Sequence, residues 1–260
     1  MTQQAIVEIR GPIGVIRYEN PPENLIGNRG AGAIMRAVEP LLVDPQIRVI
    51  ILTGSGPGHF IRHADVDLLA RAGDALAEGR IEPSAFVTAP FVQLCAMLDA
   101  ATKPVIAAID GPCMGGGFEI ALACTLRVAS EAVTSIGLPE IRLDIFPGGG
   151  GTQRLTRTIS PHAARRFILL GMSVGAQEAK ALGIIDEVAP DALTRTLELA
   201  QTLATRSPAA IAAMLALTRP SAPEKLVEEV LSFAEVARAP SARDRMRAFV
   251  ANGERLDEIP

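Results

Sequence analysis

Tryptophan is missing from this 260-residue chain, tyrosine occurs once, at Tyr18, and aromatic residues of all kinds make up 3%. With a formal net charge of −4 as well, there is neither a basic footprint nor a stacking platform, so nucleic acid is not an expected partner. Lysine is nearly as scarce: only Lys103, Lys180 and Lys225 occur among 25 basic residues, and the rest of the positive charge is arginine. The three cysteines, Cys95, Cys113 and Cys124, are odd in number and lack metal-ligand spacing, which argues against a disulfide framework or a zinc site. They are expected as small buried residues, and no metal or separate cofactor is expected. His59 and His162 stand alone, and no Ser-His-Asp or Cys-His set is visible at a known spacing. No apolar run approaches the ~20 residues of a membrane span, and residues 1–7 carry neither a basic segment nor an apolar one, so neither a membrane span nor a signal peptide is expected. A cytoplasmic location follows as the expectation.

Hydrophobic residues, by contrast, make up 48% of the chain, and mean hydropathy is +0.28. Such an excess without a membrane segment predicts buried contact between subunits. The densest pattern runs from Pro104 to Leu155. A β-branched run, Lys103-Pro104-Val105-Ile106-Ala107-Ala108-Ile109, reads as a buried strand. It leads through Gly111-Pro112-Cys113-Met114-Gly115-Gly116-Gly117 into Phe118-Glu119-Ile120-Ala121-Leu122, the start of a helix whose first N–H groups have no partner within it. Further on come Gly137-Leu138-Pro139-Glu140-Ile141 and then Phe146-Pro147-Gly148-Gly149-Gly150-Gly151-Thr152-Gln153-Arg154-Leu155, a second loop-to-helix entry preceded by a carboxylate. Two helix starts and two glutamates suggest one site. A phosphate site begins in a similar way, but G-x-G-x-x-G spacing and a P-loop are both missing, and Glu119 would place negative charge beside a phosphate. A thioester carbonyl that gains charge as an enolate forms is a better fit to neutral N–H donors.

The text from Lys103 to Leu122, with Pro139-Glu140-Ile141-x-Leu143 and Pro147-Gly148-x-Gly150-Gly151-Thr152-Gln153-Arg154-Leu155, resembles the crotonase (enoyl-CoA hydratase/isomerase) superfamily, and the resemblance extends over residues 6–249. It implies an α/β fold, a ββα spiral core, with a C-terminal helical trimerisation region. It also implies an acyl-CoA substrate, with coenzyme A as part of the substrate, and assembly as a trimer or a dimer of trimers. Carried over residue by residue, it implies backbone donors at Ala64 and Gly116 forming an oxyanion hole, an acid/base pair at Glu119 and Glu140, and Gly148 beside the attacking water. Hydration of a 2-enoyl-CoA needs a base and an acid, and most relatives with other reactions lack one of these two glutamates, so enoyl-CoA hydratase is the expected activity. A Δ3,Δ2-enoyl-CoA isomerase, a hydratase-lyase and a non-catalytic acyl-CoA-binding subunit are the alternatives. Glu119, in a first helical turn, is expected to have its ionised form favoured by the helix dipole.

Phe60-Ile61-Arg62-His63-Ala64-Asp65-Val66 departs from the family signature, which has a small residue where His63 stands. Arg62 and His63 therefore either project away or touch the acyl group or coenzyme. Pro21-Pro22 replaces a basic residue that relatives often carry near the coenzyme phosphates, and Arg29 or Arg255 could substitute. Thr125 stands where an aspartate commonly follows the cysteine.

Along the chain, residues 5–9 and 15–18 read as a hairpin, 32–42 as a helix, 48–53 as a strand covered on both faces, and 84–101 as one helix after a mobile stretch over 73–83. Short strands over 126–129 and 184–188 alternate with helices over 161–170 and 177–182. From Asp191 the text is helical throughout, over 193–205, 209–217, 224–237 and 242–251. Two regions are expected: residues 1–195 as the spiral core with the acyl-CoA site, and 196–260 as the oligomerisation region.

Overall fold

The computed structural model describes residues 3–218 and 223–256, so the outer limits of the two expected regions lie outside the described residues. The hairpin is β1 (Gln4–Arg10) and β2 (Ile13–Glu19), antiparallel with Gln4 opposite Glu19. Helix α1 (Asn28–Val43) begins earlier than its glycines suggest, and Gly30 within it lets the helix pack on Tyr18: a Cβ there would sit 2.4 Å from the phenol oxygen. Strand β3 (Val49–Gly54) is buried along its whole length. Helix α2 (Val66–Ala77) follows, its N-terminus capped by Asp65, whose carboxylate accepts from the N–H groups of Asp67 and Leu68. The stretch 73–83 is therefore partly helical, and Gly73 packs against the Ala237 carbonyl. The single helix expected over 84–101 is two, α3 (Ser84–Val87) and α4 (Pro90–Asp99), because a residue before proline disfavours the helical region and Ala89 is extended at ψ 139°.

The next two strand-strand-helix units explain the spiral. Strand β4 (Val105–Ile109), β5 (Cys113–Met114) and α5 (Gly116–Ala123) form one unit. Strand β6 (Leu126–Ser130), β7 (Ile136–Gly137), a 3-10 turn over Glu140–Leu143 and α6 (Gly151–Thr158) form the next. In each unit the first strand joins a six-stranded sheet of order β1-β2-β3-β4-β6-β9 and the second joins a three-stranded sheet of order β5-β7-β8. After them come α7 (Pro161–Leu169), β8 (Ser173–Val174), α8 (Ala176–Ala181) and β9 (Glu187–Ala189), with β8 completing the small sheet and β9 the large one. Thr125 serves this junction: its hydroxyl accepts from the Val105 N–H at 3.1 Å.

Period-two alternation splits the large sheet into two buried faces. Ile16, Ile50, Leu52, Val105, Ala107 and Ile109 face the main core. Ile13, Val15, Val49, Ile51, Ile106, Ala108 and Val128 face the opposite way and are covered by helix α9 (Ala192–Ala204) through Ala192 and Ala200. The expected boundary near residue 195 falls inside this helix, which belongs to the core because it seals the second face of the sheet.

The remaining helices are α10 (Pro208–Leu217), α11 (Pro223–Ala237) and α12 (Pro240–Asn252). Helices α11 and α12 fold back on the chain's own core. Phe233, Ala237, Ala242, Met246, Phe249 and Leu256 join Val66 and Ala70 of α2 and Leu143 and Ile145 in one apolar cluster. Of these three helices, α10 buries none of its residues, although its sequence is almost wholly apolar.

Candidate active site

A cavity of about 450 Å³ opens between α2, the start of α5, the 3-10 turn and α11. Four of the eight phenylalanines, Phe86, Phe91, Phe146 and Phe233, line it with Leu68, Leu69, Ala72 and Ile81, so most of its wall is apolar. Of the residues singled out in the sequence, Ala64, Gly116, Glu119, Glu140, Gly148, His63 and Arg29 line this cavity.

The strand-exit loop of Ala64 and the first turn of α5 touch. A Cβ on Gly116 would lie 3.3 Å from the Ala64 nitrogen and 3.0 Å from its Cβ. Ala64 sits in an isolated parallel bridge to Ile26, but the bridge uses its neighbours: Ile26 donates to the His63 carbonyl at 2.9 Å and Asp65 donates to the Ile26 carbonyl at 2.8 Å. Among the described residues the N–H groups of Ala64 and Gly116 have no acceptor. Backbone donors in folded chains are almost always paired, so two unpaired ones side by side at a cavity wall are free to donate into it.

Glu119 projects from α5 but is held by a different helix. Its Oε1 accepts from the N–H groups of Gly149 at 2.7 Å and Gly151 at 2.8 Å, at the entry to α6. Burial pushes its carboxyl up to about 7, and the Glu229 carboxylate adds to this, while the two amides and the Arg154 guanidinium oppose. The ionised form is thus not favoured on balance, contrary to the expectation from its place in a first helical turn: burial and a like charge outweigh the two amides and the guanidinium. Glu140 opens the 3-10 turn, and neither of its carboxyl oxygens has a hydrogen-bond partner among the described residues. Burial first and the charge of Glu119 second push its carboxyl well above the usual range. Oε1 of Glu140 would lie 3.2 Å from a Cβ on Gly115, at the turn that launches α5.

Gly148 lines the cavity, but Phe233 fills the space beside it: a Cβ there would lie 2.2 Å from the ring. Arg62 does not line the cavity, and its Nη1 lies 3.7 Å from Glu23 Oε1. His63 does line it. Its Nδ1 donates to the Ala64 carbonyl at 2.8 Å, its ring meets Phe249 edge-on, and burial lowers its pKa, so it is a neutral ring rather than a cation. Arg255 is exposed, and among the described residues no cluster of His, Cys, Asp and Glu could hold a metal ion.

Sequence reasoning missed two supports of the glycine loop. Arg154 is buried, pairs with Asp99 at 2.6 Å, and donates through Nη1 to the Gly149 carbonyl at 2.6 Å. Glu229 of α11 is buried against the same loop. A signal was present: Glu229 lies on the apolar stripe with Val230, Phe233, Ala234 and Ala237, where a carboxylate needs a partner.

Residues 8–252 match the sequence profile of the Enoyl-CoA hydratase/isomerase family. This chain belongs to that family. The crotonase fold is shared with solved structures, among them carnitinyl-CoA hydratase from Mycobacterium avium at 27% identity, with a TM-score of 0.80 and 97% of each chain covered. An enoyl-CoA isomerase/hydratase from Mycosarcoma maydis is 40% identical over 185 residues, which are 69% of this chain and 64% of that protein. The peroxisomal bifunctional enzyme of Danio rerio is 37% identical over 180 residues, 69% of this chain and 23% of that protein. The matched part therefore spans less than two thirds of either relative. Within this hydratase/isomerase-family chain, no helix of the described residues is long and apolar enough to cross a membrane.

Proposed function

We propose that this chain is an enoyl-CoA hydratase that adds water reversibly across the C2–C3 double bond of a 2-enoyl-CoA with an apolar acyl group. The observation that carries this reading is the pair of unpartnered N–H groups at Ala64 and Gly116 beside two buried carboxylates. The thioester oxygen accepts from both amides, which polarises the conjugated double bond. Glu119 takes a proton from water as the oxygen bonds to C3, the electron pair moves through C2 to the thioester oxygen, and Glu140 then delivers its proton to C2 as the carbonyl reforms. The two carboxyls end with their protons exchanged, and solvent resets them. Phe91 supports the water-poor environment such a step favours, since its ring reaches both Gly116 and Gly149.

A cavity walled by phenylalanine and leucine supports a linear or aromatic hydrocarbon acyl group over a polar one. Coenzyme A enters as part of the substrate. Assembly as a trimer or a dimer of trimers and a cytoplasmic location complete the proposal. The apolar, unburied α10, with Leu217 86% exposed, supports contact with another subunit.

The test is a panel of 2-enoyl-CoA and 3-enoyl-CoA thioesters of short, long and aromatic chains, followed through the conjugated enoyl-thioester absorbance. Loss of absorbance with 2-enoyl substrates supports hydration. Appearance of absorbance from 3-enoyl substrates alone favours the isomerase, and coenzyme A binding without turnover favours the silent subunit. The pH dependence is a second expected result. Glu119 must be unprotonated, so kcat/KM is expected to fall as the pH drops through about 7. Glu140 must be protonated, so activity is expected to fall again on the alkaline side as its raised pKa is crossed. A profile flat from pH 5 to 9 under chemistry-limited conditions would contradict both roles.

A further inference from the structure

The glycine loop before α6 shares its donors between two carboxylates from distant parts of the chain. Gly149 and Gly151 donate to Glu119 Oε1, while Gly150 donates to Glu229 Oε1 at 2.6 Å. On the other side, Glu229 Oε2 accepts from the Gln153 N–H at 3.2 Å and from the Thr152 hydroxyl. No side chain from the loop itself caps α6, whose N-cap is Gly150. The cap is supplied by α11 instead. Successive amides alternate between the two acids, so the loop is held in the one arrangement that points its Gly149 and Gly151 N–H groups at Glu119.

We propose that Glu229 is a positioning residue for the reaction: it clasps the N-terminus of α6 from α11, fixes the amides that orient Glu119, and sets the charge environment in which Glu119 works. The inference rests on Glu119 acting as the base in the proposed hydration. It also gives α11 a part in the site beyond covering it.

The groups facing Glu119 are few. Glu140 approaches from the 3-10 turn and Arg154 from α6, with Asp99 and Cys95 of α4 behind Arg154, and Glu229 approaches from α11. Glu229 itself faces Arg154 and Arg157 of α6. The Glu229 charge raises the Glu119 pKa and the Arg154 charge lowers it. Removing the Glu229 charge alone therefore favours ionised Glu119.

The test compares Glu229→Gln and Glu229→Ala with the unaltered protein across pH 5–9. Glutamine keeps one oxygen for Gly150, gives up the acceptor facing the Gln153 N–H and loses the charge, so the acid limb of kcat/KM is expected to move down by about half a unit or more. Alanine loses the clasp as well, and its kcat at pH 8 is expected to fall about tenfold or more, further than that of the glutamine variant, with KM changed less. Circular dichroism and size-exclusion profiles report whether each variant folds. If the alanine variant does not fold, the pH profile of the glutamine variant decides. A 13C-glutamate NMR titration, with the Glu119 signal assigned from Glu119→Gln, reads the same shift without turnover. That separates the two failures: an unaltered protein inactive on every substrate overturns hydration, whereas an unmoved Glu119 titration and acid limb in both variants overturns the role of Glu229.

Discussion

Replacing Glu119 with glutamine is expected to lower the hydration kcat by about a thousandfold, within the ~10²–10⁴ range typical of a general base, while KM stays within a few-fold. The geometry makes this an unusually clean substitution. Both amide donors converge on the same oxygen, Oε1, so the glutamine oxygen can accept both and its NH2 takes the place of Oε2. Only the ability to take a proton is lost. Stability is expected to move the other way. A carboxyl whose pKa is raised on folding binds its proton more tightly in the folded chain, so folded-state stability falls as pH rises from the ordinary carboxylate range through about 7. Glutamine carries no such penalty, and a melting temperature raised by a few degrees at pH 8, with little change at pH 5, is the expected calorimetric result. Retained turnover in Glu119→Gln, alone or together with Glu140→Gln, would remove these residues from the mechanism.

Gly117→Ala is expected to be the most damaging single-methyl change in the site. A Cβ at this position would lie 2.0 Å from the Ile61 carbonyl oxygen and 3.2 Å from that of Arg62. Both obstacles are backbone, and the Arg62 carbonyl is already fixed by the Met114 N–H at 2.7 Å, so no side chain can swing away. Relief requires the Ile61–Ala64 strand exit and the first turn of α5 to separate, which are the two segments that carry the unpartnered amides. A loss of about 3 kcal/mol by chemical denaturation is expected from the overpacking. In the fraction that folds, kcat is expected to fall at least ~100-fold, the scale of losing one oxyanion donor. Gly56→Ala is the matched control, since its Cβ would meet nothing within 4 Å, and it is expected to change stability by less than about 0.5 kcal/mol. Equal melting and equal turnover in both variants would mean that the close approach of these segments is not what organises the site.

Legibility from the sequence followed the range of the interaction. Glu119, Glu140 and the glycines between them lie in two compact stretches whose strand, turn and helix order is local, and the structure places both glutamates at one cavity. The two-faced burial expected over 48–53 was likewise readable from a largely apolar run, and it holds from Val49 onward. What depends on long-range approach was not readable. Helix α9 looks like part of a helical tail until the sheet face formed by Ile13, Val49, Ile51 and Ile106 is seen to need a cover. Arg62 and His63 share one loop, but only His63 faces the cavity, because a carbonyl captures its ring while Glu23 draws Arg62 away. Glu229 could be suspected from its place on an apolar stripe, but the loop it serves lies far away in sequence.

That distance has a bearing on biogenesis. Domains begin to fold from the amino end during synthesis, and the ββα units emerge from the ribosome well before α11 does. A chain halted in between would carry residues 148–153 without their fastening and leave a phenylalanine-rich trough open to solvent. Such an intermediate exposes apolar wall that favours association, and the cavity is complete only when the last helices close over what was made first.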